Sequence, residues 1–76
     1  MFFVYKYKDE NYHFAWQTWG YIDMYDNDWK RLCEQYDGEM ANNFTIHIDK
    51  ETGHDSSYYI KKIEDCIDCY EKIHNK

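Results

Sequence analysis

Residues 57–76, SYYIKKIEDCIDCYEKIHNK, hold the pattern that most restricts what this chain can fold into. Tyr59, Ile63, Cys66, Tyr70 and Ile73 recur at spacings of four, three, four and three, and Ile60 and Ile67 widen the stripe. Alternation of threes and fours follows the helical period and predicts an amphipathic helix. Lys61, Lys62, Glu64, Asp65, Asp68, Glu71 and Lys72 fill the opposite face. Asp55, Ser56 or Ser57 can accept hydrogen bonds from the first free backbone N–H groups, and Lys72, His74 and Lys76 lie where the helix dipole favours cations. A helix this one-sided needs an apolar surface to lie on, and the preceding residues are read as that surface.

Phe2 to Lys8, FFVYKYK, predicts a strand, with Phe3, Tyr5 and Tyr7 alternating against Phe2, Val4, Lys6 and Lys8. Asp9-Glu10-Asn11 is read as a turn and Tyr12 to Trp19 as the second arm of a hairpin. Gly20 ends it, and an acidic loop around Asp23 leads into a helix over 27–36, capped by Asp26 or Asn27, with Trp29, Leu32, Cys33 and Tyr36 on one face. Gly38 suits a left-handed residue closing that helix. Residues 39–43 connect to a third strand over 44–48, where Phe44, Ile46 and Ile48 alternate with Thr45 and His47, and 49–53 form a turn. The expected fold is α+β, one domain over 1–76 in the order β-β-α-β-α. A three-stranded antiparallel sheet in order 2-1-3 carries both helices on one face.

A chain of 76 residues encloses only a small core. No apolar run is long enough for a membrane span and no leader is visible, so a cytoplasmic location is expected. Three cysteines are an odd number and fit reduced thiols. Aromatic residues make up 21% of the chain, more than such a core can hold, so some rings must face outward, as at many binding surfaces. The formal net charge of −6 disfavours contact with nucleic acid or anionic membranes and favours basic partners. Phe, Tyr, Met, Ile, Asn and Lys dominate, a bias that points to an AT-rich genome such as those of many low-GC bacteria and their phages.

Cys66-Ile67-Asp68-Cys69 has the spacing of redox dithiols and of half a zinc site. The pair lies mid-helix beside Asp65 and Asp68, whose charges oppose thiolate formation. Zinc needs further ligands; Cys33, Cys66, Cys69 and His74 form a conceivable set, but a second closely spaced ligand pair is missing. His13, His47, His54 and His74 fall on separate elements. Asp49, Glu51, His54 and Asp55 lack calcium-loop spacing. Nucleophile-elbow, phosphate-loop, dinucleotide-binding and zinc-protease motifs are absent, so the chain is read as a non-enzyme without a cofactor. Lys6 and Lys8 beside Tyr5, Tyr7, Tyr12 and Trp16 suggest a stacking platform for single strands, which the net charge opposes.

The acids carry the stronger signal. Asp23, Asp26, Asp28, Glu34, Asp37 and Glu39 surround the expected first helix, with Trp19, Tyr21, Met24 and Tyr25 among them. Acids three or four apart on a helix approach the spacing of phosphates along a nucleic-acid strand. Glu64, Asp68 and Glu71 form a second row along the outside of the last helix, interrupted by lysines. In profile the chain resembles small phage-encoded inhibitors of bacterial defence, including anti-CRISPR and anti-restriction proteins. The resemblance implies stoichiometric binding to the basic surface of a nucleic-acid-handling protein, with Asp23, Asp26, Asp28, Trp19, Tyr21, Tyr25, Glu34, Asp37 and Glu39 at the interface. Monomer and homodimer both remain open. The rival readings are a bacterial interaction or regulatory module, homodimeric through a sheet edge or the last helix, and a small zinc-stabilised domain.

Overall fold

The computed structural model describes residues 1–17, 20–48 and 53–74. The helix expected at the end of the chain is present as α2, Ser56–His74; the earlier elements are β1 (Phe2–Tyr7), β2 (Glu10–Trp16), β3 (Tyr21–Tyr25), a 3-10 turn (Leu32–Glu34), α1 (Gly38–Asn42) and β4 (Thr45–His47). Asp55 caps α2, accepting hydrogen bonds from the Ser57 hydroxyl at 2.8 Å and the Tyr58 N–H at 3.2 Å. These bonds, the hydroxyl first, hold its carboxyl below the usual carboxylate range.

The architecture is α+β with an antiparallel sheet, but the sheet has four strands where three were expected, in meander order β1-β2-β3-β4 and not 2-1-3. Two misread segments account for the difference. Tyr21–Tyr25 is a strand whose residues from Ile22 to Tyr25 are all buried, so no polar-apolar alternation marks it. The expected helix over 27–36 gives way to a tight turn, because the Asp26 carboxylate accepts the backbone N–H of Asp28 at 2.9 Å and of Lys30 at 3.0 Å. Such local side-chain bonds compete with helical ones. Trp29 takes a positive φ of 60°, which no helix accommodates. Only Leu32–Glu34 winds into a 3-10 turn. Gly38 does adopt the left-handed conformation, at φ 59°, yet it opens α1 instead of closing an earlier helix.

The β1–β2 hairpin turns on Lys8 and Asp9, both left-handed at φ 52° and 66°. This two-residue geometry follows the right-handed twist of the strands and pairs Tyr7 with Glu10. The turn therefore sits one residue earlier than the sequence suggested. Phe3, Tyr5 and Tyr7 of β1 then share a face with Tyr12, Phe14, Ile22, Met24 and Ile46, and Ile63, Cys66 and Ile67 of α2 close over them. Phe44 and Leu32 complete this core, both almost wholly buried.

Two tyrosines tie the helix to the sheet. Tyr5 donates its hydroxyl hydrogen to Glu64 at 2.6 Å, and Tyr12 donates to Glu71. Glu64 and Glu71 are thus not part of an outward acidic row on α2. The bond to Glu64, then burial and the carboxylate charge, pushes the Tyr5 phenol up to about 12 from an ordinary 10.0. Burial and the bond to Glu71 raise Tyr12 as well. Below the ordinary phenol pKa both groups are protonated whether the chain is folded or not, and their contribution is complete. Above it the unfolded chain releases protons that the folded chain keeps, so stability falls as pH rises through the window from about 10 to about 12. Urea midpoints measured across this range should drop, and the drop should shrink in the Tyr5→Phe/Tyr12→Phe variant. A midpoint equally pH-dependent in both proteins would refute the assignment.

Candidate protein-docking surface

Residues 23–42 carry six acids against two bases, a net −4 of the chain's −6. Most of this segment is one excursion between β3 and β4, and its first acid behaves unlike the rest. Asp23 lies mid-β3 opposite Ala15 and Thr45, on the sheet face away from α2, and is 4% exposed. Its carboxylate accepts the Thr45 hydroxyl at 2.9 Å and the Gln17 amide at 3.3 Å, and Arg31 Nε stands 3.4 Å away as an ion pair. Arg31 is held there because it bridges back to Tyr25 across the turn, with its guanidinium 6.0 Å from that ring. A buried carboxylate needs such partners, and with them engaged Asp23 has no free face for another protein.

Asp26 is likewise structural. Besides Asp28 and Lys30 it accepts the Gln35 amide at 3.0 Å, and the backbone bond from Lys30, more than any other contact, lowers its pKa. Tyr25 is buried, and Tyr21 is half-buried with its ring 4.6 Å from that of His47. Trp19 lies outside the described residues. Asp28, Glu34, Asp37 and Glu39 remain exposed. Glu34 makes only a solvent-facing contact with Arg31 at 3.4 Å, and pairs of that kind contribute little. Of the nine expected residues, the eight described ones thus divide into buried Asp23 and Tyr25, half-buried Tyr21 and Asp26, and an outward set of four acids.

Several apolar residues at the surface escaped the sequence reading. Trp29 packs edge-on against Phe2 at 5.3 Å and His13 at 4.5 Å, yet is 42% exposed. Phe2 and Val4 are still more open. A signal for the last two was present, since β1 is apolar on both sides at its start and α2 can cover only one.

The cysteine pair faces a different environment. All three thiols are free, and Cys66 and Cys69 line an open cavity of about 280 Å³ between β4 and α2 with His47, Asp65 and Lys62. Burial, then Cys69 and Asp65, pushes the Cys66 thiol up to about 12, so it stays protonated and a poor nucleophile at neutral pH. Among the described residues no group of three or more His, Cys, Asp or Glu side chains is placed to share a metal ion. Nor is any described helix long and apolar enough to cross a membrane. Comparison with family models, curated proteins and solved structures yields no match.

Proposed function

We propose that the chain is a stoichiometric protein-binding inhibitor whose acidic excursion docks on the basic surface of a nucleic-acid-handling protein, in the manner of small phage proteins directed against bacterial defence. One observation carries the reading: Asp28, Glu34, Asp37 and Glu39 project from a single excursion, while its one arginine sets Nε against buried Asp23 and makes only a solvent-facing contact with Glu34. A partner meets a net negative surface there, with Lys30 the one exposed base of the excursion. Burying lysines and arginines of the target against those acids would exclude nucleic acid by occupying the same groups.

The test is binding to proteins of the source cell at graded ionic strength. Wild-type chain should retain a basic nucleic-acid-binding protein at low salt and release it steeply as salt rises, because exposed pairs are screened within a Debye length. A variant with Asp28, Glu34, Asp37 and Glu39 all replaced by lysine should bind at least ~100-fold more weakly, since like-charge contacts across an interface cost several kcal/mol. These side chains are exposed, so circular dichroism of the variant should match that of the wild type. Salt-insensitive binding, or full affinity in the reversed variant, would eliminate the acidic mechanism.

A further inference from the structure

Of the seven exposed large hydrophobic side chains among the described residues, six gather along one border of the molecule and only Met40 lies elsewhere. Met1, just ahead of β1, and Phe2 and Val4 on it are 77%, 66% and 53% exposed. Trp29 leans on Phe2 from the face away from α2. On the other face, Trp16 and Ile60 join Met1, Phe3 and Tyr5 around an open apolar cavity of about 390 Å³. The two patches flank the same structural feature, the outer edge of β1, which pairs with β2 and with no other described strand.

The backbone of that edge has a defined polarity. Met1 and Trp16 exchange both hydrogen bonds, amino group to carbonyl at 2.8 Å and amide to carbonyl at 2.8 Å. In an antiparallel ladder bonded and non-bonded pairs alternate, so Phe3, Tyr5 and Tyr7 bond to β2, while Phe2, Val4 and Lys6 direct their N–H and C=O groups outward. Two of the three residues with free backbone groups, Phe2 and Val4, are therefore also the ones whose apolar side chains lie open on the sheet face. Lys6 is the strand's only charge, and no acid interrupts it although the chain as a whole is acidic.

We propose that two copies of this chain pair β1 against β1 antiparallel, about a two-fold axis through Val4, joining two four-stranded sheets into one of eight. Val4 then faces the second copy's Val4, and Phe2 faces its Lys6, with about six backbone hydrogen bonds across the edge. This register places the two Lys6 side chains four residues apart, about 13 Å, beyond effective repulsion at physiological salt. A shift of two residues in one direction brings the lysines to about half that distance, and in the other leaves only Phe2 and Val4 to pair. On the α2 side, Phe3 comes opposite the second copy's Tyr5 and closes the apolar cavity from its open flank. On the other side, Phe2, Val4 and Trp29 of both copies form one continuous apolar strip. A single occupant thus covers both exposed patches and satisfies the free edge.

Light scattering and sedimentation equilibrium from micromolar to submillimolar concentration provide the test. Wild-type chain should show twice the 9.5 kDa mass of one chain. Val4→Lys sets two like charges directly opposite each other and should weaken self-association at least ~10-fold. Val4→Pro deletes an outward N–H without removing any bond inside the sheet, and it too should give a folded monomer of 9.5 kDa. Should both variants unfold, Val4→Cys decides the matter: bonded antiparallel pairs hold their Cα atoms about 5.5 Å apart, within disulfide reach, so oxidation should link position 4 to position 4. A wild-type monomer at every concentration, including one that pairs β1 with a strand of another protein, would overturn the proposal. So would a dimer that survives Val4→Lys, or one that fails to cross-link through position 4.

Discussion

Phe14→Ala is expected to leave most of the chain unfolded at room temperature, whereas Phe2→Ala should change stability by less than about 1 kcal/mol. Both residues sit on strands of the same hairpin, and they differ in what surrounds them. Phe14 is fully enclosed at the centre of β2, with its ring stacked 5.6 Å from that of Phe3, opposite Met24 on β3 and in the cluster that α2 covers. Removing it deletes a buried aromatic and leaves a void the neighbouring strands cannot close, a loss of about 3–5 kcal/mol. A single small core of this kind supplies a net stability of about 3–5 kcal/mol, so the deletion removes nearly all of it. Phe2, on the opposite sheet face, is mostly in solvent within one chain and meets the rings of Tyr25 and Trp29 edge-on. Urea titration followed by circular dichroism should give no cooperative transition for the first variant and a nearly unshifted one for the second. A cooperative unfolding transition in Phe14→Ala within about 1 kcal/mol of the wild type would mean that the sheet is held by something other than the α2-facing cluster.

The contrast between those two phenylalanines also marks where the sequence was legible. Side chains that repeat with a period and lose water on one side only leave a readable trace. α2 and the two arms of the β1–β2 hairpin fall in this class, and so does β4 with the residue before it, where Phe44 and Ile46 are buried and Thr45 and His47 are half-buried. β3 leaves no such trace, because both of its faces are covered, one by the core and the other by the returning excursion. Its central Asp23 resembles a loop residue until Arg31, Thr45 and Gln17 converge on it, and those partners lie between six and twenty-two positions away. The helix expected over 27–36 failed for a shorter-range reason. Its apolar stripe was real, but Asp26 bonds its own downstream backbone and Trp29 is turned to contact Phe2 and His13, which a helix would have prevented. The outward acids of the candidate surface were visible as residues. Their separation from the inward ones was not, since burial of Asp23 is a property of the sheet register.

Arg31→Ala is expected to destabilise the fold by about 2–4 kcal/mol, and the paired change Asp23→Val/Arg31→Met to recover most of that loss. The single and the paired change differ in what they leave behind. In the wild type the Asp23 side chain is 5% exposed and that of Arg31 33%, so the carboxylate is desolvated while the guanidinium keeps part of its hydration. Deleting the arginine strands a buried charge with only the neutral Thr45 hydroxyl and Gln17 amide, at 2.9 Å and 3.3 Å, to offset it. It also removes the guanidinium from over Tyr25 and opens the sheet face. Partial exposure of Arg31 lets water replace some of the lost attraction, which places the expected cost below that of a fully buried pair. Replacing both partners with apolar groups removes the desolvation cost along with the attraction, and the outcome approaches neutrality. A double-mutant cycle read by urea denaturation separates these effects, and a coupling energy near zero would show that Asp23 is held by its hydroxyl and amide donors alone. The same cycle bears on the docking surface. Because Arg31 and Asp23 pair with each other inside the fold, Arg31→Met with Asp23→Val should leave the exposed Asp28, Glu34, Asp37 and Glu39 in place, and salt-dependent binding should persist in the double variant.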